Sequence, residues 1–234
     1  MAYIRTKKVK GKEYKYLVEG YRDKDGKVKQ RTIKYLGAVE EEDKPMVTTN
    51  STKITFSEYL KYDDGTDKRY ELVDGELLVM NPPAKRHFKI IRFLVRLFED
   101  EISRQGLDIE VFSGIGVRTG LNSSRIPDVS LVEGEQWRNL ADDATAVISS
   151  GVVLTVEVVS SGAKQIERDY VDKVTEYHSS GIAEYWIVDP IEQKITVLVL
   201  EKNGYSKTIF SGEHSIASRT FPQLKVTADE ILSA

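Results

Sequence analysis

Cysteine is absent from all 234 residues. Disulfides, thiolate metal sites and cysteine nucleophiles are thereby excluded, and the composition fits a reducing cytoplasm, so a cytoplasmic location is expected. Long apolar runs are also missing. The first dozen residues are lysine-rich and polar, so no secretory leader is expected. The longest candidate span, Ile182–Val188, is far too short and is interrupted by Glu184, so no membrane helix is expected. An overall excess of positive charge is lacking too, because the formal net charge is −3. A uniformly basic nucleic-acid binder would not look like this.

What is present is an ordinary globular composition, 40% hydrophobic and 30% charged, on a chain long enough for one good core plus a small module. The charge is unevenly spread. Residues 1–37 hold 12 Lys/Arg against 4 Asp/Glu, whereas the remaining chain holds 22 against 33. Any contact with a polyanion must therefore be local: the N-terminal module, a concentrated patch, or a metal that supplies the positive charge.

The hydropathy pattern divides the chain into a basic β-hairpin module at 1–37, a linker at 38–51 and a main domain at 52–234. In the module, alternation around Tyr14, Tyr16 and Val18, an Asp25-Gly26 turn and a run from Val28 to Tyr35 predict two strands. Its basic side is either a DNA contact or a solvated charged face. Thr55 and Glu58 have capping-box spacing for a short helix. Asp74-Gly75 predicts a second hairpin over 69–80. Ile91, Leu94, Val95, Phe98 and Ile102 recur at helical spacing over 84–104, with Gly106 to close the helix. Strands are predicted over 108–118 and 128–133, a loop over 134–150, and a central buried strand from Val152 to Val159. A helix from Ala163 to Ser179 and strands at 182–189 and 195–200 complete the pattern. The strand–helix–strand order implies a crossover, hence an α/β fold with a mixed sheet flanked by helices.

Two carboxylates stand out. Asp128 opens one core strand after Pro127, and Glu157 interrupts the apolar run LTVEVVS. A carboxylate among Val and Leu is costly unless it is paired or holds a metal. Acids on neighbouring strands suit a hard cation such as Mg²⁺. The simpler readings are a buried salt bridge for Glu157 and a turn residue for Asp128. On the following helix Asp169, Lys173 and Tyr177 fall at successive i,i+4 positions and share a face, which alone describes a surface ion pair equally well.

Taken in order, YELVDGELLVM at 70–80, His87 in the next helix, IPDVSLV at 126–132, VEVVS at 156–160, DYVDKVTEY at 169–177 and GIAEYWIVDP at 181–190 resemble the Uma2 family. That family is restriction-endonuclease-like and falls within the PD-(D/E)XK nuclease superfamily. The resemblance spans roughly residues 52–232 and implies a restriction-endonuclease-like fold. It also implies Mg²⁺ (or Mn²⁺) as cofactor, DNA as partner and a homodimer. It places the first acid at Asp128 and the second at Glu157. The superfamily lysine, normally two residues after the second acid, is replaced here by Val159. A migrated lysine from the following helix maps onto Lys173. Ser161-Gly162 stands where the family usually carries a proline after the serine. Separately, RTIKYLG in the basic module resembles a segment of transposase-associated proteins.

The implied chemistry is endonucleolytic hydrolysis of DNA phosphodiester bonds. Asp128 and Glu157, with the backbone carbonyl of Val158, hold the metal, and Lys173 stabilises developing charge. Glu76 or Glu71 from the preceding hairpin completes the metal shell. His87 is either catalytic or structural, Asp169 is a supporting carboxylate, and Tyr177 orders Lys173 or packs in the core. The alternatives are a catalytically inactive DNA-binding or assembly protein on a nuclease fold, and a hydrolase acting on something other than DNA.

Overall fold

The strand-forming and helix-forming runs sort into three sheets. A computed structural model of the protein describes residues 2–9, 12–22, 27–38 and 53–234, without the side chains of some residues in the first three strands. The Asp25-Gly26 turn and nearly all of the expected linker lie outside the described residues. The chain forms two compact units. One comprises Met1–Ser51 with Ser160–Val174, and the other comprises Thr52–Val159 with Thr175–Ala234.

In the first unit, β1 (Ala2–Val9), β2 (Lys12–Arg22) and β3 (Val28–Ala38) make an antiparallel meander in the order β1-β2-β3. Three strands replace the two expected. β1 is polar and lysine-rich, so hydropathy hides it, but it pairs with β2 along its whole length, from Ala2↔Glu19 to Val9↔Lys12. Leu17 and Val18 are buried, while Arg5, Lys7, Lys29 and Arg31 are exposed. The same unit contains α4 (Ala163–Glu167) and a π-helical turn, Arg168–Asp172, that runs into α5 (Lys173–Ser179). The single helix expected over 163–179 is thus interrupted. Gly162 precedes it at φ +120°, a conformation closed to proline and rare for any L side chain. Lys15 lies 3.8 Å from Glu167, and the Lys34 ammonium sits 6.0 Å from the Tyr170 ring centre.

The second unit opens with α1 (Phe56–Tyr59), which has the expected Thr55–Glu58 capping box. The hairpin β4 (Tyr70–Val73) and β5 (Glu76–Val79) turns through Asp74-Gly75, both at positive φ. Helix α2 (Lys85–Gln105) ends on Gly106 in the left-handed conformation. Its buried face is His87, Ile90, Ile91, Leu94 and Phe98. The strand expected over 108–118 is instead two, β6 (Ile109–Phe112) and β7 (Gly116–Gly120), which belong to different sheets. Gly114, at φ +77°, turns the chain from one to the other. β8 (Ser123–Arg125) lies between the strands expected over 108–118 and 128–133. β9 (Val129–Glu133) is as anticipated, while the expected loop contains α3 (Gly134–Arg138) and β10 (Val147–Ile148). β11 (Val152–Val158), β12 (Glu184–Asp189) and β13 (Lys194–Glu201) follow. β14 (Gly204–Phe210) and α6 (Ala228–Leu232) extend the pattern.

A five-stranded sheet has the order β10-β7-β8-β4-β5, and a six-stranded one the order β14-β13-β12-β11-β9-β6. In the latter only β11 and β12 run parallel, as the crossover between them requires. One face of this sheet carries Leu154, Val156, Trp186, Val188 and Val197, packed with Ile90, Leu94 and Phe98 of α2 and with Phe221 and Ile231. The Phe98 ring meets Trp186 edge-on and stacks on Phe221. The other face carries Thr155, Glu157 and Tyr185. Tyr177 of α5 lies over it, edge-on to Tyr185 at 4.9 Å. The result is the expected α/β architecture, a mixed sheet between helices.

Candidate active site

β11 is the axis of the site. Its register with β9 is antiparallel, with Thr155↔Ser130 and Val156↔Val129. One further step of that register sets Asp128, just before β9, across from Glu157. The two acids selected from the sequence therefore lie on neighbouring segments at one end of the sheet.

Each acid is held by the chain. Asp128 Oδ2 accepts the backbone N–H of Val158 at 2.7 Å, and His87 Nε2 lies 2.9 Å from the same oxygen. The Asp128 side chain keeps 21% exposure, so it reaches solvent at the sheet end. Glu157 is buried, with 2% exposure. Its Oε1 accepts the Tyr177 hydroxyl at 2.7 Å. Burial, reinforced by the neighbouring Glu157 charge, pushes the Tyr177 hydroxyl well above the usual phenol range, so it stays a donor. Tyr177, expected either to order Lys173 or to pack in the core, is fully buried and donates to Glu157.

The hairpin acids part company. Glu76 is exposed at the turn end of the hairpin. Glu71 is buried and accepts from Arg125 Nη1 at 2.9 Å and from the Ile126 N–H at 3.0 Å. The Arg125 guanidinium, itself buried, grips Glu176 through Nε at 2.7 Å and Nη2 at 2.5 Å. Thr119 Oγ1 donates to the same Glu176 at 3.2 Å. Burial opposes the Arg125 charge, but Glu176 and Glu71 outweigh it and hold the guanidinium more firmly protonated than usual. Glu71 and Arg125 therefore anchor Ile126, two residues before Asp128, and so position the segment that delivers that acid. Arg125 and Glu176 were missed in the sequence. The available signal was an arginine inside the short run SSRIPD, flanked by residues that a buried strand would use.

In the other unit, Lys173 and Asp169 are fully buried. The lysine Nζ lies 3.7 Å from Asp169 Oδ1, which also accepts Arg168 Nε at 2.9 Å. The π-helical turn Arg168–Asp172 contains Asp169 and is capped by Lys173, a distortion common at functional sites.

Asp128 and Glu157 offer hard oxygen donors, and the carbonyl of Val158 lies on the same strand end. Among the described residues no group of three or more His, Cys, Asp or Glu side chains is arranged to hold a metal. That donor set fits Mg²⁺, which keeps several of its waters and needs only one or two carboxylates. It does not fit a closed zinc site.

The mixed sheet, the crossover between β11 and β12 and the paired acids at the sheet end define a restriction-endonuclease-like α/β protein. A solved structure shares this fold: a crystal structure from Anabaena variabilis described as "a putative nuclease belonging to DUF820". It is 18% identical, with a TM-score of 0.63, covering 77% of this chain and 98% of that one. The family model of Uma2, described as "Putative restriction endonuclease", matches residues 56–229, and the chain belongs to the Uma2 family. A second model, that of the N-terminal domain of the IS1634 family transposase, matches residues 4–61. No curated protein matches the chain.

Proposed function

We propose that the protein is a divalent-metal-dependent endonuclease that hydrolyses DNA phosphodiester bonds at Asp128 and Glu157. The observation that carries this reading is a buried carboxylate on a central strand, Glu157, set by register beside Asp128 in a member of the Uma2 family. Asp128 and Glu157, with the Val158 carbonyl, would hold Mg²⁺ or Mn²⁺. Bound there, the metal would acidify a water and offset charge on the phosphate.

The chain's own part is positioning. The Val158 N–H fixes one Asp128 oxygen, and His87 lies against that same oxygen. Tyr177 fixes Glu157, so neither acid must reorganise to bind a ligand. Glu71 and Arg125 set the height of the segment carrying Asp128. Lys173 is assigned by the family resemblance as the cation that meets charge growing on the phosphate, and Asp169, 3.7 Å from its Nζ, is its supporting carboxylate.

The test is cleavage of supercoiled, linear duplex and single-stranded DNA with Mg²⁺ or Mn²⁺, with Glu157→Ala as control. Metal-dependent cleavage by the parent and none by the variant is expected. Equal cleavage by both would remove Glu157 from the mechanism. A second reading, DNA binding without cleavage, is favoured by Val159 standing where the superfamily pattern has its lysine. It predicts DNA binding with no metal-dependent product in any of these assays.

A further inference from the structure

Helix α2 has two faces of opposite character. The inner face is the buried set already described. On the opposite side Lys85, Lys89, Arg92 and Arg96 recur at i, i+4, i+7 and i+11, and all four are exposed. No Asp or Glu occurs between Lys85 and Phe98. Among the described residues none of the four cations makes an ion pair. An ordinary solvated helix face mixes signs and satisfies its charges at i,i+3 or i,i+4. This helix does so only near its end, where Arg104 Nη2 meets Glu101 at 2.5 Å. Phe88, 58% exposed, lies beside the basic stripe. The stripe is also out of keeping with its surroundings, because the chain beyond residue 37 carries 33 acids against 22 bases.

Four unpaired cations of one sign on a rigid rod match a regularly spaced polyanion. They extend over about 16 Å of helix, and each strand of a DNA duplex presents a phosphate every ~3.4 Å of its axis. Arginine and lysine recognise phosphate oxygens by charge-assisted hydrogen bonds. The helix also links the stripe to the acids. Its first turns carry Lys85 and Lys89 outward and His87 inward, where Nε2 lies 2.9 Å from Asp128. A backbone held on the outer face thus lies about one helix diameter, ~10 Å, from the end of the sheet where Asp128 stands.

We infer that the outer face of α2 is a docking surface for the phosphate backbone of duplex DNA, with Lys85, Lys89, Arg92 and Arg96 as its contacts. The inference rests on the nuclease reading for its choice of ligand, but not on cleavage. The full chain is titrated with a fluorescent 30-base-pair duplex across a salt series, with Ca²⁺ replacing Mg²⁺ so that the probe survives. Lys89→Ala/Arg92→Ala is compared with Lys202→Ala, a change at another exposed lysine. Two lost phosphate contacts lower the slope of log K against log salt by about 1.8 and weaken binding about tenfold at moderate salt. Lys202→Ala leaves both unchanged, and thermal melts confirm that each variant is folded.

Parent and α2 variant binding duplex with the same slope overturns the inference, as does a parent that binds no duplex. So does a stripe whose removal abolishes binding to phosphatidylserine vesicles and leaves duplex binding intact. The nuclease reading fails separately. Duplex binding through α2 with no cleavage under any metal retires the enzyme and keeps this surface. Metal-dependent cleavage that is indifferent to the α2 substitutions keeps the enzyme and retires the surface.

Discussion

Glu157 and Glu184 interrupt adjacent central strands, β11 and β12, and look alike in sequence: each is an acid in a run of β-branched and aromatic residues. The structure separates them in two ways. The parallel register pairs Leu154 with Glu184 and Glu157 with Ile187, so they lie three residues apart along the strands. They also face opposite sides of the sheet. Glu184 accepts from Trp186 Nε1 at 2.7 Å, Ser218 Oγ at 3.1 Å, and the Thr220 N–H and Oγ1 at 2.7 Å each. It is a fully satisfied internal acceptor that pins the 218–220 segment over the core. Glu157 is aligned by Tyr177 on the opposite face, in register with Asp128 at the sheet end. Burial of a carboxylate therefore carries no function by itself. Its neighbours along and across the ladder decide.

The largest expected effect breaks this comparison directly. Glu157→Ala should lower metal-dependent cleavage by about 10³-fold, as removal of a catalytic electrostatic group does, and abolish Mn²⁺ binding by calorimetry. Its melting temperature should fall only modestly, because the buried Tyr177 hydroxyl loses its acceptor. Glu184→Ala should keep metal binding and lose more stability. It strands several buried donors at a cost on the order of 3 kcal/mol, read by denaturant titration, while its folded fraction still binds Mn²⁺. Equal behaviour of the two variants would erase the distinction.

Arg125→Ala follows. It leaves the buried Glu71 and the half-buried Glu176 without their cation, and breaking the buried Glu71 pair costs about 3–5 kcal/mol. Arg125→Lys should recover little of this, because the bidentate grip on Glu176 needs a guanidinium. Full recovery in a urea titration would show that charge alone matters there.

Lys173→Ala should bind Mn²⁺ like the parent yet lose about 10²-fold in cleavage rate at saturating metal. Lys164→Ala, half-buried in the first turn of α4, should keep the parent rate. Full activity in Lys173→Ala would remove the migrated lysine.

The smallest effect concerns Tyr177. The Tyr177→Phe change removes a buried hydrogen bond to a charged group, about 1.5–3 kcal/mol before relaxation. It also alters the alkaline limb. Because the folded state raises this phenol's pKa, the contribution is intact below the usual tyrosine value of about 10 and is lost as pH climbs toward the folded value. Stability of the parent should thus fall above about pH 10, and the variant should fall less steeply. Matching slopes in both would mean that the phenol does not ionise on unfolding in that window.

Local chemistry was legible where it is self-sufficient. Asp74-Gly75 takes two positive φ values, as a tight hairpin demands. The apolar spacing from Ile91 to Phe98 makes a helix, and Gly106 ends it in the left-handed conformation. The Thr55–Glu58 box caps α1 as its spacing requires. The burial of Glu157 was also legible, because an acid in a β-branched run is expensive and so informative. Where partners come from distant chain, the pattern was silent or misleading. A lysine-rich segment proved to be β1, and one apparent strand proved to be β6 and β7 in separate sheets. Glu71 rather than Glu76 is the buried hairpin acid, because the single β4–β8 pairing, Leu72↔Ser124, brings Arg125 alongside β4.

By itself, then, the order of apolar, turn and capping residues determined the Asp74-Gly75 hairpin, α1, the long helix α2 and the central strand β11, and marked Glu157 as a buried acid. These signals act over three or four residues, within reach of the local backbone. Only the tertiary structure decided which donors meet each buried acid. Those donors sit far apart in sequence, such as Arg125 and Ile126 on Glu71, Tyr177 on Glu157 and Thr220 on Glu184. A hydrogen bond depends on angle and on tenths of an ångström, and nothing in one-dimensional spacing sets either until the sheets close and fix the register.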